Sequence, residues 1–229
     1  DLHKEYRRQR QMCIRDRTGD SIKNLEVIKI YANNHYITPK PTIEQAIIKL
    51  PAIPGRLEEI SCNSPGRVFI DYAHTPDALE SALIALRPYV KNRLILVFGC
   101  GGDRDRSNRP IMGRVVAENA DIALLTSDNP RNEDPEIILR DVETGLQASK
   151  CYERSELLFR QTGYTKVSNR KDAISAAVSL ANPKDIVVIA GKGHEAFQVI
   201  KNTVVPFDDR KVAQELLEIK RIKKRQWDA

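Results

Sequence analysis

From residue 67 onward the chain alternates short apolar runs with longer segments of helical period. VFIDYA (68–73) predicts a strand, and PDALESALIALRPYV (76–90) a helix that opens on a proline, whose missing N–H has no partner to lose there. RLILVFG (93–99) is apolar almost throughout, as a strand covered on both faces should be. A helix over 110–119, the strand IALLT (122–126) and a helix over 135–147 follow, then a helix near 170–180 and the strand DIVVIA (185–190). FQVI and TVVPF (197–207) predict a hairpin about Lys201 and Asn202, and a last helix covers 208–220. Strands that alternate with helices imply parallel βαβ units, so the expected fold class is α/β, an open and mostly parallel sheet with flanking helices.

Upstream the pattern changes. Residues 21–32 and 42–50 predict two helices with Pro39 and Pro41 between them, and LPAIPGRLEE carries a Pro-Gly turn that reads as a linker or domain edge. The first seventeen residues, DLHKEYRRQRQMCIRDR, follow neither period and are expected to be a disordered or artefactual tail foreign to the fold.

The net charge of +6 first suggests a nucleic-acid partner, but its placement argues otherwise. Residues 1–17 hold six basic and three acidic side chains, and residues 220–229 hold five basic and one acidic, which leaves 18–219 near −1. Two basic ends on a neutral body read as solvated tails, with no nucleic-acid partner expected. No apolar run approaches the ~20 residues of a membrane span, so no membrane insertion is expected. Cys13, Cys62, Cys100 and Cys151 lie far apart without a C-x-x-C pair, which speaks against a zinc site and fits a reduced, cytoplasmic chain.

In open α/β sheets ligands gather at the carboxyl ends of the strands. The polar clusters of this chain, DYAHTPD, FGCGGDRD, TSDNPR and AGKGHE, each follow a predicted strand. FGCGGDRD (98–105) is not a dinucleotide fingerprint, because Arg104 stands where the third glycine belongs. AGKGHE (190–195) is not a phosphate loop, because Lys192 is followed by Gly193 and His194. TSDNPR offers more. Arg131 suits a carboxylate, Asp128 or Glu195 suits an ammonium, and together they suit a zwitterionic amino-acid head. An Asx-type turn capping the next helix, with Arg131 in solvent, explains the same residues.

Five motifs then occur in order: PGRLEE (54–59), DYAHTPDALE (71–80), FGCGGDRDRSNRPIMG (98–113), DNPR (128–131) and GKGHE (191–195). Together they resemble the C-terminal part of the Mur ligases, in the branch that adds 2,6-diaminopimelate during peptidoglycan precursor synthesis. The resemblance covers 50–218 strongly and 18–49 loosely. It implies that 18–60 is a small helical remnant of a central ATP-binding domain plus linker, that 61–220 is a Rossmann-like amino-acid-binding domain, and that 221–229 is a basic tail. Carried over by position, Arg104, Asp128, Asn129, Pro130, Arg131, Gly191 and Glu195 would contact meso-diaminopimelate, while Arg56, Asp71 and His74 would reach ATP. The implied reaction is ATP- and Mg²⁺-dependent amide formation on a UDP-N-acetylmuramoyl dipeptide through an acyl phosphate, by a monomeric cytoplasmic enzyme.

The family's phosphate loop, Mg²⁺ ligands, modified lysine and UDP-binding domain have no counterpart in these residues. The expectation is therefore a truncated piece without ligase activity alone, with no catalytic residue assigned and no metal ligand of its own. Two other readings stay open, a stand-alone amino-acid-binding module and a nucleic-acid binder using the basic tails.

Overall fold

The computed structural model describes residues 53–60 and 66–227, with side chains to residue 223. The two helices expected over 21–32 and 42–50, and the N-terminal tail, lie outside the described residues. Eight strands occur among the described residues: β1 (Glu58–Ile60), β2 (Arg67–Asp71), β3 (Leu94–Phe98), β4 (Ile122–Leu125), β5 (Gly163–Lys166), β6 (Ile186–Ala190), β7 (Phe197–Ile200) and β8 (Thr203–Pro206). The helices are α1 (Pro76–Leu86), α2 (Asn108–Asn119), α3 (Pro135–Glu143), α4 (Arg170–Leu180) and α5 (Asp209–Trp227).

The main sheet has the order β1-β2-β6-β3-β4-β5. All its neighbours run parallel except β1, which is antiparallel to β2. Strand residues alternate between two cores, which is why the central strands read as continuous apolar runs. Leu94, Leu96 and Phe98 of β3 pack with Leu79, Leu83, Met112 and Val142 under α1, α2 and α3. Ile95 and Val97 of the same strand point the other way, to Ile174 and Ala177 of α4 and Ala213 and Leu217 of α5.

The helix starts carry the expected signals. Thr75 accepts from Ala78 N–H at 3.4 Å ahead of Pro76, and Asp134 accepts from Glu136 N–H at 2.9 Å ahead of Pro135. Asn169 accepts from Asp172 N–H at 3.1 Å to open α4.

Some elements differ from expectation. The helix expected to 90 ends at Leu86 and continues as a 3₁₀ turn, Arg87–Tyr89, where Pro88 supplies no N–H. The helix expected to 147 ends at Glu143, before Gly145. α5 runs seven residues past the expected end at 220, with Lys220 Nζ reaching the Val178 and Ala181 carbonyls at 2.6 Å each, at the end of α4. β1 and β5 had no periodic signal. EEI and GYTK are short and polar, and their pairing with β2 and β4 makes them strands.

Candidate functional site

Asp71 faces Ala190 across β2 and β6, and Phe98 faces Leu125 across β3 and β4, so the loops leaving these strands begin level along one rim. The DNPR turn lies at its centre. Arg131 has φ +51°, a left-handed conformation uncommon for a residue with a side chain. The β7–β8 hairpin holds it there: Arg131 N–H donates to the Val199 carbonyl at 3.0 Å, and Lys201 N–H donates to the Arg131 carbonyl at 2.6 Å. Gln198 Nε2 donates to the Asp128 carbonyl at 2.5 Å and Val199 N–H to Asn129 Oδ1 at 3.0 Å. Stitching by a hairpin remote in sequence, rather than a local Asx turn, fixes these side chains.

The glycine-rich loop after β3 packs against this turn. A Cβ on Gly102 would sit 1.9 Å from the Pro130 carbonyl oxygen, so no side chain fits there. Gly102 N–H donates to the Asn129 carbonyl at 2.9 Å, and Arg131 Nη1 donates to the Gly102 carbonyl at 2.7 Å. One such bond leaves most of the guanidinium's five donors available. Arg104 is exposed at the lip, and its stem and the Arg131 head both lie beside Gly101. Beneath, Arg109 is buried against Glu133 (2.7 Å) and Asp141 (2.8 Å). The Arg109 hydrogen bond holds the Glu133 carboxyl down at about 2.

The same rim carries an acid and amide group. Asn129 Nδ2 donates to Glu195 Oε2 at 3.1 Å, and Lys192 Nζ donates to Asn129 Oδ1 at 3.1 Å and Glu195 Oε2 at 3.3 Å. Asp128 Oδ1 stands 3.7 Å from Lys192 Nζ and is buried without a hydrogen-bond partner. Burial pushes the Asp128 carboxyl up, opposed by the nearby Arg170 and Lys192 cations. Gly191, at φ +118°, leaves room for Asp128, since a Cβ there would be 2.6 Å from Asp128 Oδ2. Under this floor Arg170 and Asp209 form a fully buried pair at 2.6 Å, and Arg170 also donates to the Ala190 carbonyl at 3.0 Å. Burial and the Asp128 charge push the neighbouring Cys100 thiol up to about 12, so it is a thiol and not a nucleophile.

Arg56, Asp71 and His74 form a second group, next to β2. The Arg56 guanidinium lies 4.4 Å above the Tyr72 ring, and the His74 ring meets Tyr72 edge-on at 4.6 Å. Asp71 is buried and faces inward, accepting Leu57 N–H and Ala73 N–H at 2.8 Å each, so it anchors the PGR loop to β2. Tyr72 joins the two groups: burial and then the Glu195 charge push its phenol up.

The structure thus gathers Asp128, Asn129, Pro130, Arg131, Gly191, Glu195 and Arg104 on one rim, and Arg56 and His74 beside them. The motif reading missed Lys192, Tyr72 and His194, whose ring lies 5.4 Å from that of Tyr72. Lys192 was visible only as a failed phosphate-loop lysine, and nothing in GKGHE shows that its ammonium turns inward. Among the described residues no group of three or more His, Cys, Asp or Glu side chains gathers as a metal cage, and no helix is long and apolar enough to cross a membrane.

An open, mostly parallel sheet whose rim carries Arg104 and Arg131 beside an acid and amide cluster defines an α/β domain with a candidate polar ligand site. Residues 55–193 match the family model described as Mur ligase, glutamate ligase domain, and the chain belongs to that family. Among curated relatives, the UDP-N-acetylmuramoyl-L-alanyl-D-glutamate–2,6-diaminopimelate ligase of Syntrophomonas wolfei is 47% identical, over 76% of this chain and 34% of the relative. Its counterpart from Clostridium botulinum is 44% identical, over 79% of this chain and 35% of the relative. A solved structure of a ligase of the same name superposes with a TM-score of 0.64 at 38% identity, covering 78% of this chain and 34% of that one. A folylpolyglutamate synthase/dihydrofolate synthase structure from Yersinia pestis, at 16% identity and TM-score 0.52 over 85% of this chain and 37% of that one, shares the fold. The chain spans about a third of the length of the curated relatives it matches.

Proposed function

We propose that the chain is the amino-acid-binding part of a cytoplasmic, monomeric amide ligase that adds meso-diaminopimelate to UDP-N-acetylmuramoyl-L-alanyl-D-glutamate in peptidoglycan synthesis. One observation carries the reading: Arg131 and the Arg104 stem meet beside Gly101, and Asp128, Asn129 and Glu195 gather about Lys192 on the same rim. Diaminopimelate has two amino-acid heads. Arg104 and Arg131 would hold the carboxylate of the head that does not react, and Glu195, Asp128 and the Gly191 carbonyl its ammonium. Asn129 and Pro130 would keep that wall in shape.

ATP, when bound with Mg²⁺, would supply the phosphoryl group that activates the dipeptide's carboxylate for attack by the free amine. Most of both would be held by the family's central domain. Arg56 on the face of Tyr72, with His74 at its edge, fits the polyphosphate end of the nucleotide by charge. Asp71 would act on that group indirectly, by holding Leu57 and hence the PGR loop.

The test is calorimetric titration of the purified chain with meso-diaminopimelate and with lysine. Lysine lacks the distal carboxylate and leaves the arginines unpaired, so the chain should bind diaminopimelate and discriminate against lysine by up to ~10⁴-fold. Equal binding of both, or of neither, would sink the reading.

A further inference from the structure

Lys192 has no exposed surface, yet none of the roles above uses it. Its ammonium lies among three side chains of the proposed ligand wall: Asn129 Oδ1 at 3.1 Å, Glu195 Oε2 at 3.3 Å and Asp128 Oδ1 at 3.7 Å. The Phe197 ring closes one side at 5.7 Å. The first contact sets the Asn129 amide. With Oδ1 taken by Lys192 and by Val199 N–H, Nδ2 must point the other way, to Glu195. A flipped amide would turn its NH₂ toward the ammonium.

Charge matters as much as shape. Asp128 and Glu195 are two carboxylates around one ammonium. The next cation, Arg170, is committed to Asp209 by hydrogen bonds of 2.8 and 2.6 Å. Arg131 Nη1 is engaged by the Gly102 carbonyl. One negative charge is left over, and the buried Asp128 Oδ1 lacks a donor. A buried acceptor without a donor is a rare and costly arrangement, and a ligand ammonium would complete it.

We infer that Lys192 is the positioning and specificity-determining residue of this rim: its buried ammonium locks Asn129 and Glu195 in place and cancels one of the two carboxylate charges, so that the pocket accepts one zwitterionic head instead of a second bare cation. The inference rests on the proposed amino-acid site. A purely space-filling lysine would be replaceable by methionine. A charge-setting lysine is not, because without it the pocket favours ligands of higher positive charge.

Two measurements test it. In the first, diaminopimelate and lysine are titrated into wild type and Lys192→Met, with near-ultraviolet circular dichroism as the check on folding. Diaminopimelate should bind Lys192→Met weaker by about thirtyfold or more, as when one partner of a buried charge pair is removed. Lysine, with no distal carboxylate, should lose much less, so the ratio between the ligands narrows. An equal loss for both ligands in a folded variant, or no loss, overturns the inference.

The second measurement needs neither ligand nor a folded Lys192 variant. The Lys192 ammonium is observed by nitrogen-15 NMR in the free wild-type chain at mildly acidic pH, and again in Glu195→Gln. The groups facing this cluster are Asp128, Glu195, Tyr72, Arg170 and Asp209. A slowly exchanging ammonium signal that moves in Glu195→Gln supports the anchoring role. A signal in fast exchange with water, or one that ignores Glu195→Gln, overturns it. Wild type that binds neither ligand but shows the anchored ammonium refutes the proposed function and leaves the positioning of Asn129 and Glu195 standing.

Discussion

Arg131 donates its backbone N–H to the Val199 carbonyl at 3.0 Å, and that bond joins the DNPR turn to a hairpin outside the main sheet. The hairpin is half apolar and exposed, with Val204 64% exposed, so it adds little to the core. Its contribution is to the shape of the rim. Val199→Pro removes the N–H that donates to Asn129 Oδ1 and should weaken diaminopimelate binding by about tenfold, the size of one hydrogen bond. The thermal midpoint should shift by only a few degrees. Calorimetry and a melting curve on the same sample check both halves.

Arg131→Lys keeps the charge and loses the planar fork. The preference for diaminopimelate over lysine should fall by about tenfold or more, since an ammonium cannot pair a carboxylate bidentately. Competition between the two amino acids on the variant gives the ratio directly, and an unchanged ratio places the distal carboxylate elsewhere.

Arg170→Met leaves Asp209 buried without its partner and withdraws the donor to the Ala190 carbonyl. Breaking a fully buried pair costs about 3–5 kcal/mol, so urea denaturation should show a loss of that size. Replacing Arg170 and Asp209 together by apolar residues should recover most of it.

Glu133 carries a pH dependence of known sign. Its carboxyl is lowered from 4.5 to about 2 in the folded chain, mainly by Arg109, so the stability it adds is present above its unfolded value. That stability is lost as pH falls from about 4.5 toward 2. Melting curves across that window should fall less steeply for Glu133→Gln than for wild type. Parallel curves would mean the Arg109 contact is not formed in solution.

The sheet and helices were readable because their residues obey a local rule. Ile95 and Leu96 are both apolar since each meets a different core, and Thr75, Asp134 and Asn169 precede their helices since four N–H groups there need acceptors. β1 and β5 obey no such rule, as EEI and GYTK become strands only when β2 and β4 offer an edge.

For the site, the sequence by itself determined the residue types and their order along the rim: an acid, an amide and a guanidinium after β4, and a lysine and an acid after β6. Helical and strand periods place loops at strand ends, and short-range chemistry names what each loop can bind. Only the tertiary structure decided which way each group faces. Asp71 turns inward to two backbone N–H groups, Lys192 turns under the rim to Asn129 and Glu195, and Val199, some seventy residues from Asn129, sets that amide. Those orientations follow from hydrogen bonds between segments distant in the chain, whose donors and acceptors cannot be matched until the strands have been ordered beside one another.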